Sequence, residues 1–119
     1  GDCVATMMFN NYEHCVLFYT LALLGVCVAP MNRTERPGKL DFLVRATRPQ
    51  LLFVDECFLP IVREMESLSA HHIVVCNHAT SSSLAYPTFT QLLQPHVSDI
   101  APFVWPQLHE DTALGFGFT

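Results

Sequence analysis

Short runs of consecutive apolar residues alternate along the chain with longer segments of helical character. Four of these runs have the length of buried strands, and each is followed at once by a polar residue or a proline. Strands without polar alternation are typical of a parallel sheet that is covered on both faces. The predicted strands are residues 4–9, 26–29, 51–54 and 73–76.

The first segment between strands predicts a helix over residues 13–24, about three turns long. Asn10 and Asn11 are expected to supply a turn and a cap at its start, and Gly25 suits the left-handed position that ends a helix. Because the segment is apolar almost all round, we expect it to be buried on several sides. The uncharged run 15–29 would span about 22 Å as a helix, less than the roughly 30 Å of a bilayer core, and so favours a buried core element over a membrane span.

Two further helices are predicted to begin at Pro37 and Pro60, since the fixed φ of proline and its missing N–H suit a first turn. Their core-facing side chains are Leu40, Leu43 and Val44 in the first helix, and Ile61, Val62, Met65 and Leu68 in the second. The remaining segments are expected to be a loop at 77–87, a short helix at 88–94, an irregular stretch at 95–112 and a last strand at 113–118.

Strands that alternate with helices predict the α/β class, as a doubly wound and mostly parallel sheet with right-handed crossovers. Ligands of such sheets bind beyond the carboxyl ends of the strands. Functional residues are therefore expected in the segments that follow the strands: Asn10 and Asn11, Met31 and Asn32, Asp55 and Glu56, Asn77 and His78, and whatever follows Phe118.

Composition limits the partners that the chain can have. Its 119 residues suffice for one compact unit, half of them are hydrophobic, and only 14% are charged, against about 25% in an average soluble domain. A net charge of −5 makes nucleic acid an unlikely partner. The six basic residues predict one solvated basic edge, or else a site for an acidic lipid or substrate: Arg33, Arg36, Lys39, Arg45, Arg48 and Arg63.

Cysteines and histidines are the candidate residues for disulfides and for a metal site. Five cysteines, an odd number without a Cys-x-x-Cys pair, predict reduced and buried thiols in a cytosolic protein. The densest set of zinc-ligand types is His71, His72, Cys76 and His78. An extended chain separates His72 from His78 by about 20 Å and alternates side chains between faces, which favours a strand flanked by surface histidines over a metal site.

Other catalytic patterns are weak. Asp55 follows a buried strand, as a phosphoacceptor carboxylate does, but a strand-end acid that caps the next helix is the favoured interpretation. The serines at 81–83 lie in a predicted surface loop without a Gly-x-Ser-x-Gly elbow. Gly115 and Gly117 come nearest to a phosphate-binding loop, yet glycine inside a strand more often marks a close backbone approach.

The order of these segments resembles part of the N-terminal domain of AMP-forming acyl-CoA synthetases, within the adenylate-forming superfamily. GDCVA at 1–5 resembles the family's G-D-x-V-A strand opening, and LLGVCVAPMN at 23–32 resembles its helix-to-strand passage. LLFVD at 51–55 resembles its third strand, and EDTALGFGFT at 110–119 resembles the lead-in to its phosphate-binding signature. The phrases at 53–65 and 103–113 are most similar to the medium-chain fatty-acyl branch.

The resemblance implies that residues 1–119 are a partial N-terminal domain, truncated before the phosphate-binding loop. It implies a parent ligase that uses ATP, Mg²⁺ and CoA to activate a fatty or other carboxylic acid through an acyl-adenylate, in the cytoplasm or at the periphery of a membrane. Thr119 would be the phosphate-contacting hydroxyl, and Phe118 the aromatic residue before it. The loop's glycines and lysine lie outside the sequence, so the isolated chain is expected to bind none of these ligands, to be inactive, and to self-associate through uncovered apolar faces.

The sequence also leaves open two interpretations of the function that belong to other classes of protein. One is a flavodoxin-like or receiver-like binding module without covalent chemistry. The other is a truncated remnant without activity. A Ser-Gly-Thr-Thr-Gly sequence after Thr119 would favour the ligase, whereas a natural stop codon would favour the remnant.

Overall fold

The computed structural model describes residues 2–69, 72–79, 84–98, 102–115 and 117. Its four strands are β1 (Cys3–Met7), β2 (Cys27–Pro30), β3 (Leu51–Asp55) and β4 (Ile73–Cys76). Its α-helices are α1 (Tyr12–Leu23), α2 (Pro37–Thr47), α3 (Leu59–Val62) and α4 (Phe89–Leu93), and 3₁₀ turns occupy Glu56–Phe58 and Gln94–His96.

The four strands form one sheet in the order β2-β1-β3-β4, and every pairing is parallel. Alternate strand residues enter two separate buried clusters. Helices α2 and α3 cover one cluster, with Leu40 and Val62 in it, whereas α1 and α4 contribute Leu17 and Phe89 to the other. The predicted doubly wound α/β fold is therefore confirmed.

A short segment borders each edge of the sheet. Gly115 forms an isolated parallel bridge with Val28, whose N–H donates to the Leu114 carbonyl at 3.0 Å. At the other edge, Thr88 forms a bridge with Val75. The strand predicted at 113–118 is thus a single bridge within the described residues; Phe116 and Phe118 lie outside them. A Cβ at Gly115 would come within 2.9 Å of the Val28 carbonyl oxygen, so the close approach expected at this glycine is confirmed.

Helix α2 agrees with the sequence prediction, whereas α3 is shorter than expected. Pro37 is the first residue of α2, and Leu40, Leu43 and Val44 are all buried. Pro60 lies in a helix of a single turn, after which the chain continues in turns. The predicted inner face persists without the longer helix: Val62 and Met65 are buried, Ile61 and Leu68 half-buried.

Helix α1 contradicts the expectation that it is buried on several sides. Leu17 is its one buried residue, and several large apolar side chains on its far side are exposed. The reason is geometric: the sheet covers one side of α1, and no other described element lies over the opposite side to the same depth. Within the part of the chain that the structure describes, no helix is long and apolar enough to cross a membrane.

The end of α1 explains why a glycine stands at position 25. Gly25 has φ +72°, and its N–H donates to the Ala22 carbonyl while the N–H of Val26 donates to Leu21. These two bonds form a Schellman motif, in which the left-handed residue suits glycine. A Cβ at Gly25 would also lie 2.6 Å from Cδ2 of Leu108, which packs over this turn.

Replacing Gly25 with alanine is expected to lower the free energy of unfolding by about 1–2 kcal/mol, because alanine is strained at positive φ. Gly38 in α2 provides a matched control, since no heavy atom lies within 4 Å of its would-be Cβ. Alanine there should be neutral or raise stability by about 0.5–1 kcal/mol through its better helix propensity. Urea denaturation of both variants measures the difference, and equal stabilities would contradict the assignment.

Candidate functional site at the carboxyl edge of the sheet

A buried carboxylate, that of Asp55 at the end of β3, organises the carboxyl edge of the sheet. Its Oδ2 accepts hydrogen bonds from the backbone N–H of Phe9 at 2.8 Å and from Nδ2 of Asn11 at 3.2 Å. Its Oδ1 accepts from Nδ2 of Asn77 at 2.7 Å. One side chain therefore ties the segments that follow β1 and β4 to the end of β3.

This arrangement corrects the favoured interpretation of Asp55 as a cap for the next helix. The 3₁₀ turn that follows has no side-chain cap at Asp55, because the donors of Asn11, Asn77 and Phe9 hold the carboxylate across the edge instead. Both oxygens accept hydrogen bonds and the residue is buried, which favours a structural role over that of a phosphoacceptor. Asp55 is a structural tie between loops.

Two further carboxylates hold the segment after β4. Asn77 has a left-handed backbone, with φ +50°, and its N–H donates to Oε2 of Glu13 in α1 at 2.8 Å. Oε2 of Glu56 accepts from the N–H of Ala79 at 2.9 Å and lies 3.4 Å from Nδ1 of His78.

The asparagine at the predicted helix start, Asn11, also caps α1 by accepting from the N–H of His14, as expected.

A cavity of about 440 Å³ opens at this edge, lined by Phe9, Asp55, Glu56, Cys57 and Asn77. The ring of Phe9 packs against Phe58 with centroids 5.0 Å apart. The guanidinium of Arg33 lies 4.4 Å from the centroid of the Phe9 ring, a cation–π contact. The lining is thus aromatic and acidic, and the guanidinium of Arg33 lies above the Phe9 ring.

The basic residues behave as the predicted solvated edge, since all six are exposed. Two of them form ion pairs along α2: Lys39 with Glu35 at 2.8 Å, and Arg45 with Asp41 at 2.9 Å. The Ser67 hydroxyl donates to Asp41 Oδ1 and, with the neighbouring Arg45, keeps the pKa of Asp41 below its usual value. Asp41 and Arg45 thereby connect α2 to the segment after α3, where Ser67 and Glu66 lie.

The cysteines match the prediction in part. None of the five forms a disulfide, and Cys3, Cys27 and Cys76 are buried. The prediction of burial is wrong for Cys15 and Cys57, which lie on the uncovered side of α1 and in the cavity at the carboxyl edge. Burial raises the pKa of Cys76, Cys3 and Cys57, and the Asp55 carboxylate raises that of Cys57 further.

Metal ligation is not supported by the described residues, among which no group of three or more histidine, cysteine or acidic side chains is arranged to hold an ion. Cys76 is part of the buried core, and Nδ1 of His72 is 2.9 Å from the Ser69 hydroxyl. The remaining candidate site residues of the sequence analysis lie outside the described residues: His71, the serines at 81–83, Phe118 and Thr119.

The chain is similar to parts of known proteins in sequence and in fold. No protein-family model matches the chain. The 3-methylmercaptopropionyl-CoA ligase of Ruegeria lacuscaerulensis is 23% identical over 124 residues, which cover 99% of this chain and 22% of that protein. The long-chain-fatty-acid–CoA ligase of Thermus thermophilus is 26% identical over 90 residues, 72% of this chain and 16% of that protein. The chain therefore spans roughly a fifth of the length of the curated relatives that it matches.

Solved structures show the same fold. The N-terminal domain of FACL13 from Mycobacterium tuberculosis superposes with a TM-score of 0.69 at 20% identity, over 97% of this chain and 27% of that one. The anthranilate CoA ligase AuaEII, in complex with anthranoyl-AMP, superposes with a TM-score of 0.68 at 24% identity, over 80% of this chain and 18% of that one. The chain is similar in sequence to part of acyl-CoA ligases. Its parallel sheet has the same fold as part of the N-terminal domain of FACL13.

The position of Gly115 is consistent with this relationship. Within the described residues, Gly115 of the segment that resembles the lead-in to the phosphate-binding signature forms a single parallel bridge with Val28 of β2. Parallel strands direct their carboxyl ends to the same edge, where Asn11, Asp55 and Asn77 meet. Sequence reasoning located this edge, but it did not foresee that Asp55 would bind two loops together.

Proposed function

We propose that residues 1–119 form part of the N-terminal domain of an ATP-dependent, AMP-forming acid–CoA ligase, ahead of its phosphate-binding loop. The observation that carries the proposal is the similarity to a CoA ligase along 99% of the chain. The parallel sheet with Gly115 beside β2 supports it. Because the chain spans only 22% of that relative, the activity belongs to a longer protein.

The proposed reaction has two steps. A carboxylate oxygen of the acid attacks the α-phosphorus of ATP, and pyrophosphate leaves to give an acyl-adenylate. The thiolate sulfur of CoA then attacks the acyl carbonyl, and AMP leaves as the thioester forms. Mg²⁺, held by residues of the longer protein, would offset the negative charge of the triphosphate. The names of the relatives, which specify a methylmercaptopropionyl and a long-chain fatty acyl group, favour an apolar carboxylic acid as substrate.

The described residues at the carboxyl edge do not fit a magnesium–triphosphate complex. The cavity at the carboxyl edge is lined by Asp55 and Glu56, whose charge repels phosphate. The guanidinium of Arg33 lies above the Phe9 ring and is not part of the lining. We propose that Thr119 supplies the first phosphate-contacting hydroxyl and that the cationic and glycine-rich remainder of the site follows it. The isolated chain is accordingly expected to be inactive.

Isothermal titration of the 119-residue chain with ATP and Mg²⁺ tests this expectation. We expect no saturable heat up to millimolar nucleotide, equivalent to a binding free energy weaker than about −4 kcal/mol. The full-length Thermus thermophilus ligase, titrated in the same way, is the positive control. A micromolar dissociation constant for the isolated chain would contradict the proposal. So would a natural stop codon directly after Thr119, whereas a following Ser-Gly-Thr-Thr-Gly would support it.

A further inference from the structure

Two cysteines lie side by side at the amino edge of the sheet. Cys3 is the first residue of β1 and Cys27 is the first residue of β2, and the register of this parallel pair places them directly opposite each other. Residues that are directly opposite point to the same face of a sheet, so both thiols lie on one face. Among the described residues, this is the one position where the strand register pairs two cysteines.

The spacing of the two strands fits a covalent bridge. Neighbouring strands lie about 4.8 Å apart, so the α-carbons of Cys3 and Cys27 fall within the roughly 4.4–6.8 Å that disulfides span. The β-carbons of relaxed disulfides are about 3.5–4.5 Å apart, which is slightly closer than parallel strands hold them. A bridge at this position would therefore be strained, and strained disulfides are the ones that are readily reduced again.

The surroundings of the pair slow its oxidation. Both cysteines are free thiols, and only 8% of Cys3 and 6% of Cys27 is exposed. Burial raises the pKa of Cys3, and the charge of Cys27 raises it further, an interaction that requires the two groups to lie close together. The Cys3 thiol therefore stays protonated at neutral pH, and its oxidation requires a small oxidant that can enter a nearly buried site.

We propose that Cys3 and Cys27 form an oxidation site, at which hydrogen peroxide converts the two thiols into a reversible disulfide between β1 and β2. The sulfur of one cysteine attacks a peroxide oxygen, and the O–O bond breaks to give a sulfenic acid and water. The second sulfur then attacks the sulfenic sulfur, the S–O bond breaks, and a second water leaves. Two thiols and one hydrogen peroxide thus give one disulfide and two waters. The inference does not depend on the proposed function.

The other cysteines provide internal controls, because none of them is paired with a thiol in the strand register. Cys15 in α1 and Cys57 in the turn after β3 are exposed, and Cys76 is fully buried in β4. A single exposed thiol is oxidised to a sulfenic acid or forms a bridge between two molecules. A disulfide within one chain is therefore expected only from the pair at the amino edge.

Peptide mapping of the oxidised 119-residue chain is the direct test. The dilute chain is treated with hydrogen peroxide, the remaining thiols are alkylated in denaturant, and cleavage after Glu13 and Tyr19 separates the cysteines of β1, α1 and β2. We expect a linked peptide that joins Cys3 to Cys27 and is about 2 Da lighter than the sum of its two parts, because two hydrogens are lost. Millimolar glutathione should then convert the linked peptide back to free thiols.

Two variants separate the pair from the exposed thiols. Cys27→Ala should abolish the linked peptide and leave Cys3 as a single thiol, whereas the matched control Cys15→Ala should leave its yield unchanged. Circular dichroism confirms that both variants are folded, and the mapping of the wild-type chain does not depend on them. Oxidation confined to Cys15 and Cys57, with Cys3 and Cys27 still alkylated, would overturn the proposal. So would a bridge from Cys3 to Cys15, or a bridge that glutathione leaves intact.

Discussion

Replacing Asp55 with alanine should lower the free energy of unfolding by about 3 kcal/mol. The residue is 2% exposed, and its carboxylate accepts from the N–H of Phe9 and from the amide groups of Asn11 and Asn77. Alanine would leave three donors without their acceptor at a partly buried edge. Each unsatisfied buried donor costs about 1–3 kcal/mol, and partial access of water to the loops keeps the total near the lower end. Urea denaturation measures the loss.

Two controls separate this effect from the removal of any acidic residue. Glu64 is exposed, and its replacement with alanine should change stability by less than about 0.5 kcal/mol. Amide hydrogen exchange gives a local measurement: the N–H of Phe9, which donates to Asp55, should lose its local protection in Asp55→Ala, while that of Leu52 within β3 should exchange faster only through the loss of global stability. A loss below about 1 kcal/mol, or no change at Phe9, would contradict the role of Asp55 as a tie.

The sequence predicts the sheet well because continuous apolar runs have few alternatives to a buried parallel strand. The predicted strand at 73–76 coincides with β4, and the parallel order places Asn11, Asp55 and Asn77 at one edge in advance of any coordinates. The hydrogen bonds among these side chains could not be predicted. They depend on the left-handed backbone of Asn77 and on where the turn after β1 places Asn11, which local pattern does not determine.

The misjudged burial of α1 has a different cause. Its apolar residues at nearly every position show that the helix favours burial, and Leu17 satisfies this on the side of the sheet. The pattern does not show whether a second surface is present to cover Tyr12 and Tyr19. Periodicity within one element reports which side chains favour an apolar environment, whereas the covering surface is a property of the whole assembly.

The second large effect on stability is expected in α2, the helix that best matches its predicted pattern. Replacing Leu40 with alanine should lower the free energy of unfolding by about 3 kcal/mol, because a fully buried leucine loses its transfer energy and leaves a cavity. Leu40 is 0% exposed in α2 and belongs to the same buried cluster as Leu52 and Val54 of β3. The surrounding side chains come from both strands and helices, so they can close only part of the space. Thermal and urea denaturation measure the change.

Phe42, two residues along the same helix, is the matched control because it is larger than Leu40 but 67% exposed. Its replacement with alanine should change stability by less than about 0.5 kcal/mol, since little apolar surface is transferred from water when the chain folds. If Phe42→Ala cost as much as Leu40→Ala, the side of α2 that packs on the sheet would be misassigned. The contrast between the two variants therefore tests the i, i+3, i+4 stripe of Leu40, Leu43 and Val44 that orients α2 on β3.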